Sequence, residues 1–225
     1  MADNESSMAA TLRKQFRQIP EADRKAHESF SIRIWRGLSW LERAEQAADL
    51  EDQFISLWIA FNAIYGRLES DGSAADHSTW QEFLAQVARL DTEGLFTDLM
   101  HRNRVSVLRL INNKYLFRPF WAGLAAGEKE QRQAEHALQQ AGQYAVVNLG
   151  NHMVAGPLQE LFERLYVLRA QVFHGAATRG SKLNRQVMRM GTQVLAQIVP
   201  AMIQVMLQAG LKVDWGTVCF PPVEA

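Results

Sequence analysis

The sequence predicts an all-α protein, because apolar residues recur at helical spacing and the alternation that is typical of strands is absent. Phe30, Ile34 and Leu38 lie on one apolar stripe, and Phe54 and Trp58 begin a second one. No proline interrupts residues 21–115, so long helices are possible there. We therefore expect a single helical bundle domain of six to eight helices.

Composition narrows the class of protein. The chain has 225 residues, 48% of them apolar, with 24 basic against 24 acidic side chains. This apolar content supports a packed core and excludes disorder over most of the chain. Cys219 is the only cysteine, so no disulfide can form within the chain. Together with a start that lacks the apolar stretch of a secretory signal, this predicts a cytoplasmic protein.

Local sequence patterns predict an N-terminal segment, a helical domain and a C-terminal tail. Residues 1–20 are polar and end in a proline, so we expect a flexible segment before a helical domain that spans residues 21–212. A turn is expected at residues 69–75 (ESDGSAA), and an irregular tail at residues 213–225. The apolar stripes predict helices near residues 30–41, 54–65, 79–90, 94–111 and 128–148.

The last predicted helix, at residues 183–208, is strongly apolar. Its central run, VLAQIVPAMIQVML, covers the fourteen residues 194–207. That is shorter than the roughly 20 residues that cross a bilayer. We interpret the run as a buried core helix, kinked at Pro200, and expect no membrane contact.

A helix between Pro157 and Gly175 carries the residues best suited to chemistry, since proline favours a first helical turn and glycine the position after a helix end. Arg169 lies near its C-terminal end, one turn after Tyr166, and His174 lies where it stops. Arginine can clamp a phosphate oxygen, and histidine can move a proton near neutral pH. Such a pair suits the attack of an RNA 2′-hydroxyl on the adjacent phosphate. Alternatively, His174 serves only the helix dipole.

Basic and acidic residues are segregated along the chain, although the net charge is zero. Residues 164–213 hold seven basic side chains and no Asp or Glu, namely Arg164, Arg169, Arg179, Lys182, Arg185, Arg189 and Lys212. A solvated helix face usually mixes both signs. This region therefore favours a site for a polyanion.

Arg169 and His174 also fit the R-x4-6-H motif of the HEPN superfamily of all-helical domains. The chain resembles one group of these proteins in three blocks, in order, the last of which contains the motif: residues 54–66 (FISLWIAFNAIYG), 113–121 (NKYLFRPFW) and 161–185 (LFERLYVLRAQVFHGAATRGSKLNR). The resemblance extends over residues 30–222. Several blocks in order are far more specific than the short motif alone.

This resemblance implies a metal-independent endoribonuclease, without a cofactor, that acts as a toxin or in defence against phage. Arg169 would hold the scissile phosphate and His174 would act as general acid or base, which leaves a 2′,3′-cyclic phosphate and a 5′-hydroxyl. It also implies a homodimer formed through the motif-bearing helices, and an antitoxin or other regulatory protein as a possible partner. The other residues expected to contact RNA are Tyr166, Gln171, Asn184 and Arg185.

Ala170 departs from the family pattern, in which the residue after the arginine is usually polar and most often asparagine. Three explanations remain open. The chain is a natural non-catalytic module that binds RNA, a nucleotide or a protein; or Gln171 supplies the missing polar group; or Ala170 was introduced to suppress toxicity.

Other candidate residues are better explained by structure. The six histidines are scattered and show no metal-ligand spacing, so no metal site is expected. His101 and His152 have no supporting partners and are expected to be structural. Aromatic residues at helical spacing are expected to be packed in the core: Trp58, Phe61, Tyr65, Phe117, Phe120 and Trp121.

Overall fold

The structure is a computed structural model, and it describes residues 7–68, 77–176, 178–182 and 184–222. In these residues the chain forms eleven α-helices, and β-type pairing is limited to one bridge between Arg67 and Val218. The predicted all-α class is therefore confirmed. The turn expected at residues 69–75 lies outside the described residues.

The chain divides into two compact units. The first unit comprises the described parts of residues 1–92 and 195–225, and the second comprises those of residues 93–194. The predicted number of six to eight helices is too low for the described chain. One reason is that residues 94–111 form two helices, since Asn103 ends the first one by donating from its side-chain amide to the Leu99 carbonyl at 2.9 Å.

The helices have the following bounds. The first unit contains α1 (Met8–Gln18), α2 (Glu21–Ala26), α3 (Glu28–Glu45), α4 (Leu50–Tyr65) and α5 (His77–Leu90). The second contains α6 (Leu95–Arg102), α7 (Arg104–Ile111), a 3₁₀ helix (Lys114–Leu116), α8 (Arg118–Ala126), α9 (Glu128–Gly150) and α10 (Ala155–Phe173). The helix α11 (Arg185–Ala209) contributes residues 185–194 to the second unit and residues 195–209 to the first.

The pair of α3 and α4 forms the core of the first unit, and both predicted stripes are buried there. Gly37 on α3 allows the two helices to approach closely. A Cβ atom at this position would lie 2.6 Å from Cγ2 of Ile64, so a larger residue would push the helices apart. Trp58 and Phe61 are buried, which confirms that they belong to the core.

Residues 8–18 form α1, where we expected a flexible segment. Ser7 caps this helix by accepting a hydrogen bond from the Ala10 N–H at 3.0 Å. Leu12 and Phe16 are buried where α1 packs on α3. The expectation was wrong because this short helix has a narrow apolar stripe in an otherwise polar sequence, and tertiary packing stabilises it.

Residues 213–222 of the C-terminal tail are irregular, as expected, and arginines of α3 bind this part of the tail. Arg33 is 0% exposed, and burial lowers its pKa to about 10, which leaves it charged at neutral pH. Its guanidinium donates hydrogen bonds to four carbonyl groups, those of Ile64 (2.9 Å), Gly66 (2.6 Å), Trp215 (3.0 Å) and Gly216 (3.2 Å). Arg36 donates to the carbonyls of Cys219 and Phe220 at 2.7 Å each.

In the second unit, α10 packs against α7 and α9. Its buried face consists of Leu158, Leu161, Phe162, Leu165 and Leu168. This face explains why α10 forms a long helix, and it leaves the residues on the opposite side of its last two turns for a surface role.

The helical segment Arg185–Lys212 is long and apolar enough to cross a membrane by composition alone. However, 56% of its most apolar window is buried inside the protein, as in the core helix of a soluble protein. Most of the apolar run at residues 194–207 is buried, including Leu195, Val199 and Ile203. The helix continues through Pro200.

Candidate functional site

The end of α10 is fixed by a Schellman motif, which places His174 at the surface. The Gly175 N–H donates to the Val172 carbonyl at 3.2 Å, and the Ala176 N–H donates to the Gln171 carbonyl at 2.8 Å. Gly175 has a φ of 66°, a conformation that favours glycine. The predicted helix end is therefore confirmed, and His174 is the exposed C-cap residue.

Arg169 lies between two aromatic rings on the same face of α10. Its guanidinium carbon is 4.6 Å from the ring centroid of Phe173, one turn later, and 5.8 Å from that of Tyr166, one turn earlier. In the described part of the chain no carboxylate lies within ion-pair distance of Arg169. Its Nε is buried and has no hydrogen-bond partner there. Among the residues that the structure describes, the positive charge of Arg169 is therefore in contact with aromatic rings and not with an acid.

Arg169 and His174 both lie in the last turns of α10, but no hydrogen bond joins their side chains. Five residues along a helix correspond to a rotation of about 140° about its axis. The two groups therefore do not point in the same direction from a regular helix. The directions of the Arg169 and His174 side chains therefore determine whether one phosphate can contact both of them.

Tyr166 is half-buried, and its ring also contacts a second guanidinium, that of Arg118, whose carbon lies 5.5 Å from the centroid. Because Arg118 is the first residue of α8, this contact connects the motif-bearing helix to the start of α8. Tyr166 is thus at the edge of the core and next to two cations.

Gln171 has a partner that the sequence did not reveal. Its Nε2 donates to the Tyr115 carbonyl at 2.7 Å, and its Oε1 is buried without a partner in the described chain. The same carbonyl accepts a hydrogen bond from the indole of Trp121 at 2.9 Å. Gln171 therefore fixes the 3₁₀ helix against α10.

Asn184 and Arg185 begin α11. Asn184 is exposed, and its carbonyl accepts the Met188 N–H at 2.8 Å, so it caps the helix. Its φ of 57° is one that asparagine tolerates better than most residues. Arg185 is the first residue of α11 and is half-buried. These positions fit a capping role, and neither side chain is brought into a contact with Arg169 or His174.

Arg164 is one of the seven basic residues of the segregated region, but it is buried. Its Nε donates to the Ile111 carbonyl at 3.0 Å, and its guanidinium carbon lies 4.4 Å from the ring centroid of Phe117. Burial lowers its pKa, partly offset by Glu160. Arg164 therefore stabilises the core and is not available to a polyanion, whereas Arg179, Lys182 and Arg189 are exposed.

An aromatic and basic cluster adjoins the motif. We call it the aromatic–basic surface, and it consists of Lys114, Tyr115, Arg118, Phe120, Trp121, Tyr166, Arg169 and Phe173. Of the aromatic residues expected to be packed, Phe117 is buried, but Trp121 is 44% exposed. The signal in the sequence was the alternation of cations and rings in residues 113–121 (NKYLFRPFW), a block whose aromatic residues we expected to be packed.

His101 and His152 are partners of each other, which corrects the expectation that they lack any. Their ring centroids lie 4.6 Å apart. His101 Nε2 is buried and has no hydrogen-bond partner among the described residues. Two imidazoles are fewer than a zinc site requires, and the described chain has no group of three or more potential metal ligands.

In comparisons with protein-family models, with curated proteins and with solved structures, nothing matches this chain. The functional interpretation therefore depends on the residues and their geometry.

Proposed function

We propose that the protein is a HEPN-type endoribonuclease in which Arg169 and His174 act on the RNA backbone without a metal. The observation that carries this proposal is the arrangement at the end of α10. The last turns of one helix carry an exposed histidine and an arginine that has no carboxylate within ion-pair distance among the described residues. The exposed cations Arg179, Lys182 and Arg189, which follow α10 in the same unit, support a polyanionic substrate.

In the proposed reaction, Arg169 donates hydrogen bonds to non-bridging oxygens of the scissile phosphate and stabilises the charge that develops there. His174 takes the proton of the 2′-hydroxyl or gives one to the leaving 5′-oxygen. The 2′-oxygen attacks phosphorus, the bond to the 5′-oxygen breaks, and the products are a 2′,3′-cyclic phosphate and a 5′-hydroxyl.

We further propose that the active form is a homodimer in which motif-bearing helices from two copies form one cleft. The support is geometric. Arg169 and His174 of one regular helix point about 140° apart, so a phosphate could meet the arginine of one copy and the histidine of the other. In the cell, such an enzyme would act as a toxin or defence effector in the cytoplasm, restrained by a partner protein.

A second candidate function is a non-catalytic module that binds RNA or a nucleotide. Two observations favour it. Ala170 offers no hydrogen bond next to Arg169, and Gln171, which could have supplied one, donates to the Tyr115 carbonyl. In this alternative Arg169 contributes to binding and His174 is dispensable.

The first test is cleavage of a labelled, mixed-sequence RNA in EDTA by this chain and by its Ala170→Asn form. We expect Ala170→Asn to cut RNA faster. In that background, His174→Ala should lower the rate by about 100-fold or more, since acid–base catalysis contributes at least that much.

A matched control is His136→Ala, which removes an exposed histidine from α9 of the same unit and should leave cleavage unchanged. Product ends should carry a cyclic phosphate. If Ala170→Asn cuts RNA equally well with and without His174, the proposed mechanism is wrong. If no variant cuts RNA but Arg169→Ala weakens RNA binding, the non-catalytic module is the better description.

A further inference from the structure

We propose that the aromatic–basic surface is a single-stranded RNA-binding site that stacks unpaired bases next to Arg169. This inference rests on the proposed function for its choice of RNA as the nucleic acid. It goes beyond that function, because it assigns substrate recognition to residues outside the Arg–His motif.

The surface is continuous with the candidate site. Arg118 lies over the Tyr166 ring, and Arg169 lies over both Tyr166 and Phe173. Gln171 and Trp121 both donate to the Tyr115 carbonyl, so the 3₁₀ helix, α8 and α10 are held together here. A strand of RNA with its phosphate at Arg169 would therefore have its neighbouring nucleotides near these rings.

The rings are both exposed and fixed. Tyr115, Trp121 and Phe173 are 45%, 44% and 46% exposed. Phe120 packs edge-to-face against Tyr115 at 5.5 Å and against Trp121 at 5.3 Å. The Trp121 N–H is already bonded to a backbone carbonyl, so what remains at the surface is apolar ring. Large rigid rings held at a surface are typical of binding sites.

The charges fit a nucleic acid better than an apolar partner. The surface contains three cations and no carboxylate. Within α10, the acidic residue nearest to Phe173 in the sequence is Glu163. The Lys114 amino group lies 5.2 Å from the Tyr115 centroid and 5.5 Å from that of Phe120. Cations interleaved with rings match a ligand that alternates phosphates with flat bases.

A single strand is the form that this surface can accept. In a duplex the base faces are stacked on each other and are not available to side chains, whereas unpaired bases can stack on aromatic rings. The site should therefore prefer unpaired regions, and it should tolerate different sequences because every base has a flat face.

The experiment measures binding of a fluorescein-labelled twelve-nucleotide RNA of mixed sequence by anisotropy. The protein is the full chain with His174→Ala, so that the probe is not cut. Tyr115→Leu should raise the Kd roughly 5- to 150-fold, because one stacking contact is lost. Tyr115→Trp should restore tight binding. A duplex of the same length should bind more weakly than the single strand.

The matched control is Tyr144→Leu, because Tyr144 is a 49% exposed tyrosine on α9 of the same unit and outside the surface. It should leave the Kd unchanged. Circular dichroism and thermal unfolding establish that each variant folds. Equal Kd values for Tyr115→Leu and Tyr144→Leu would overturn the proposal. So would a change from dimer to monomer, by sedimentation, without any change in RNA affinity, because the surface would then be an interface between copies.

Different outcomes would contradict the ribonuclease proposal and the proposal of a stacking site. If Ala170→Asn cuts RNA and Tyr115→Leu leaves the Kd unchanged, the ribonuclease stands and the stacking site is wrong. If no variant cuts RNA but Tyr115→Leu weakens single-strand binding, the stacking site stands on a non-catalytic protein.

Discussion

At the scale of the residue, Gly175 determines where α10 stops and hence where His174 lies. The Schellman motif requires a left-handed conformation at this position, and Gly175 has a φ of 66°. An alanine in this conformation would be strained. The candidate general acid or base thus depends on a neighbour that has no side chain. Stability and the position of His174 are linked through this one residue.

We predict that Gly175→Ala lowers the free energy of unfolding by about 1 kcal/mol, measured by urea denaturation. In the Ala170→Asn background it should also slow RNA cleavage. Gly150→Ala is the matched control, because Gly150 lies at the end of α9, with no atom within 4 Å of an added Cβ and without a positive φ. That change should be neutral or stabilising. A loss of similar size from both changes would contradict the role assigned to Gly175.

At the scale of the element, α1 is held on α3 by apolar packing and by polar contacts, which include the ion pair of Arg13 with Glu42 and a hydrogen bond from the Ala9 N–H to Glu45 Oε1. Arg13 Nη2 lies 2.7 Å from Glu42 Oε2, and this hydrogen bond lowers the pKa of Glu42 below its ordinary value. A carboxyl whose folded pKa is depressed stabilises the protein above its unfolded pKa and loses this contribution as the pH falls through the folded value. The docking of α1 should therefore weaken in acid.

We predict that Glu42→Gln destabilises the protein at pH 7 by less than about 1 kcal/mol, and that this difference disappears in acid, below the depressed folded pKa of Glu42. Urea denaturation of both proteins between pH 3 and pH 7 measures it. Glu128→Gln, which removes the exposed pair with Arg132, is the control and should show a smaller difference. A difference for Glu42→Gln that persists unchanged into acid would mean that the ion pair does not contribute.

The elements also show which features the sequence could predict. The end of α10 was predictable because Pro157 and Gly175 are local signals. The break at Asn103 was not, because an amide that caps one helix looks like any polar residue in a helical pattern. The contacts of Arg33 with Trp215 and Gly216 join residues more than 180 positions apart, and no local pattern reports them. In the candidate site, Arg169 and His174 came from a motif, whereas Tyr115 and the partner of Gln171 required tertiary structure.

At the scale of the whole molecule, the proposed cleft belongs to two copies. If each active site takes Arg169 from one copy and His174 from the other, two inactive variants can restore each other. A mixed dimer of Arg169→Ala and His174→Ala protomers, both with Ala170→Asn, has one intact site of its two.

We predict that equimolar mixing of these variants, after dissociation and reassociation, restores about a quarter of the cleavage rate of Ala170→Asn alone. The reason is statistical: half of the dimers are mixed and each has one working site of two. Each variant treated alone is the control and should stay inactive. A mixture as inactive as its components would place both residues of a site on one copy.

The tie between α3 and the tail has a consequence for biosynthesis. Arg33 is made early, but the carbonyls of Trp215 and Gly216 that it binds are made about 180 residues later. During translation residues 93–194 are made before residues 195–222, so the second unit is synthesised in full before the first unit can be completed. A buried guanidinium would until then lack two of its four acceptors. A nascent chain would therefore contain Arg169 and His174 before the first unit can be completed.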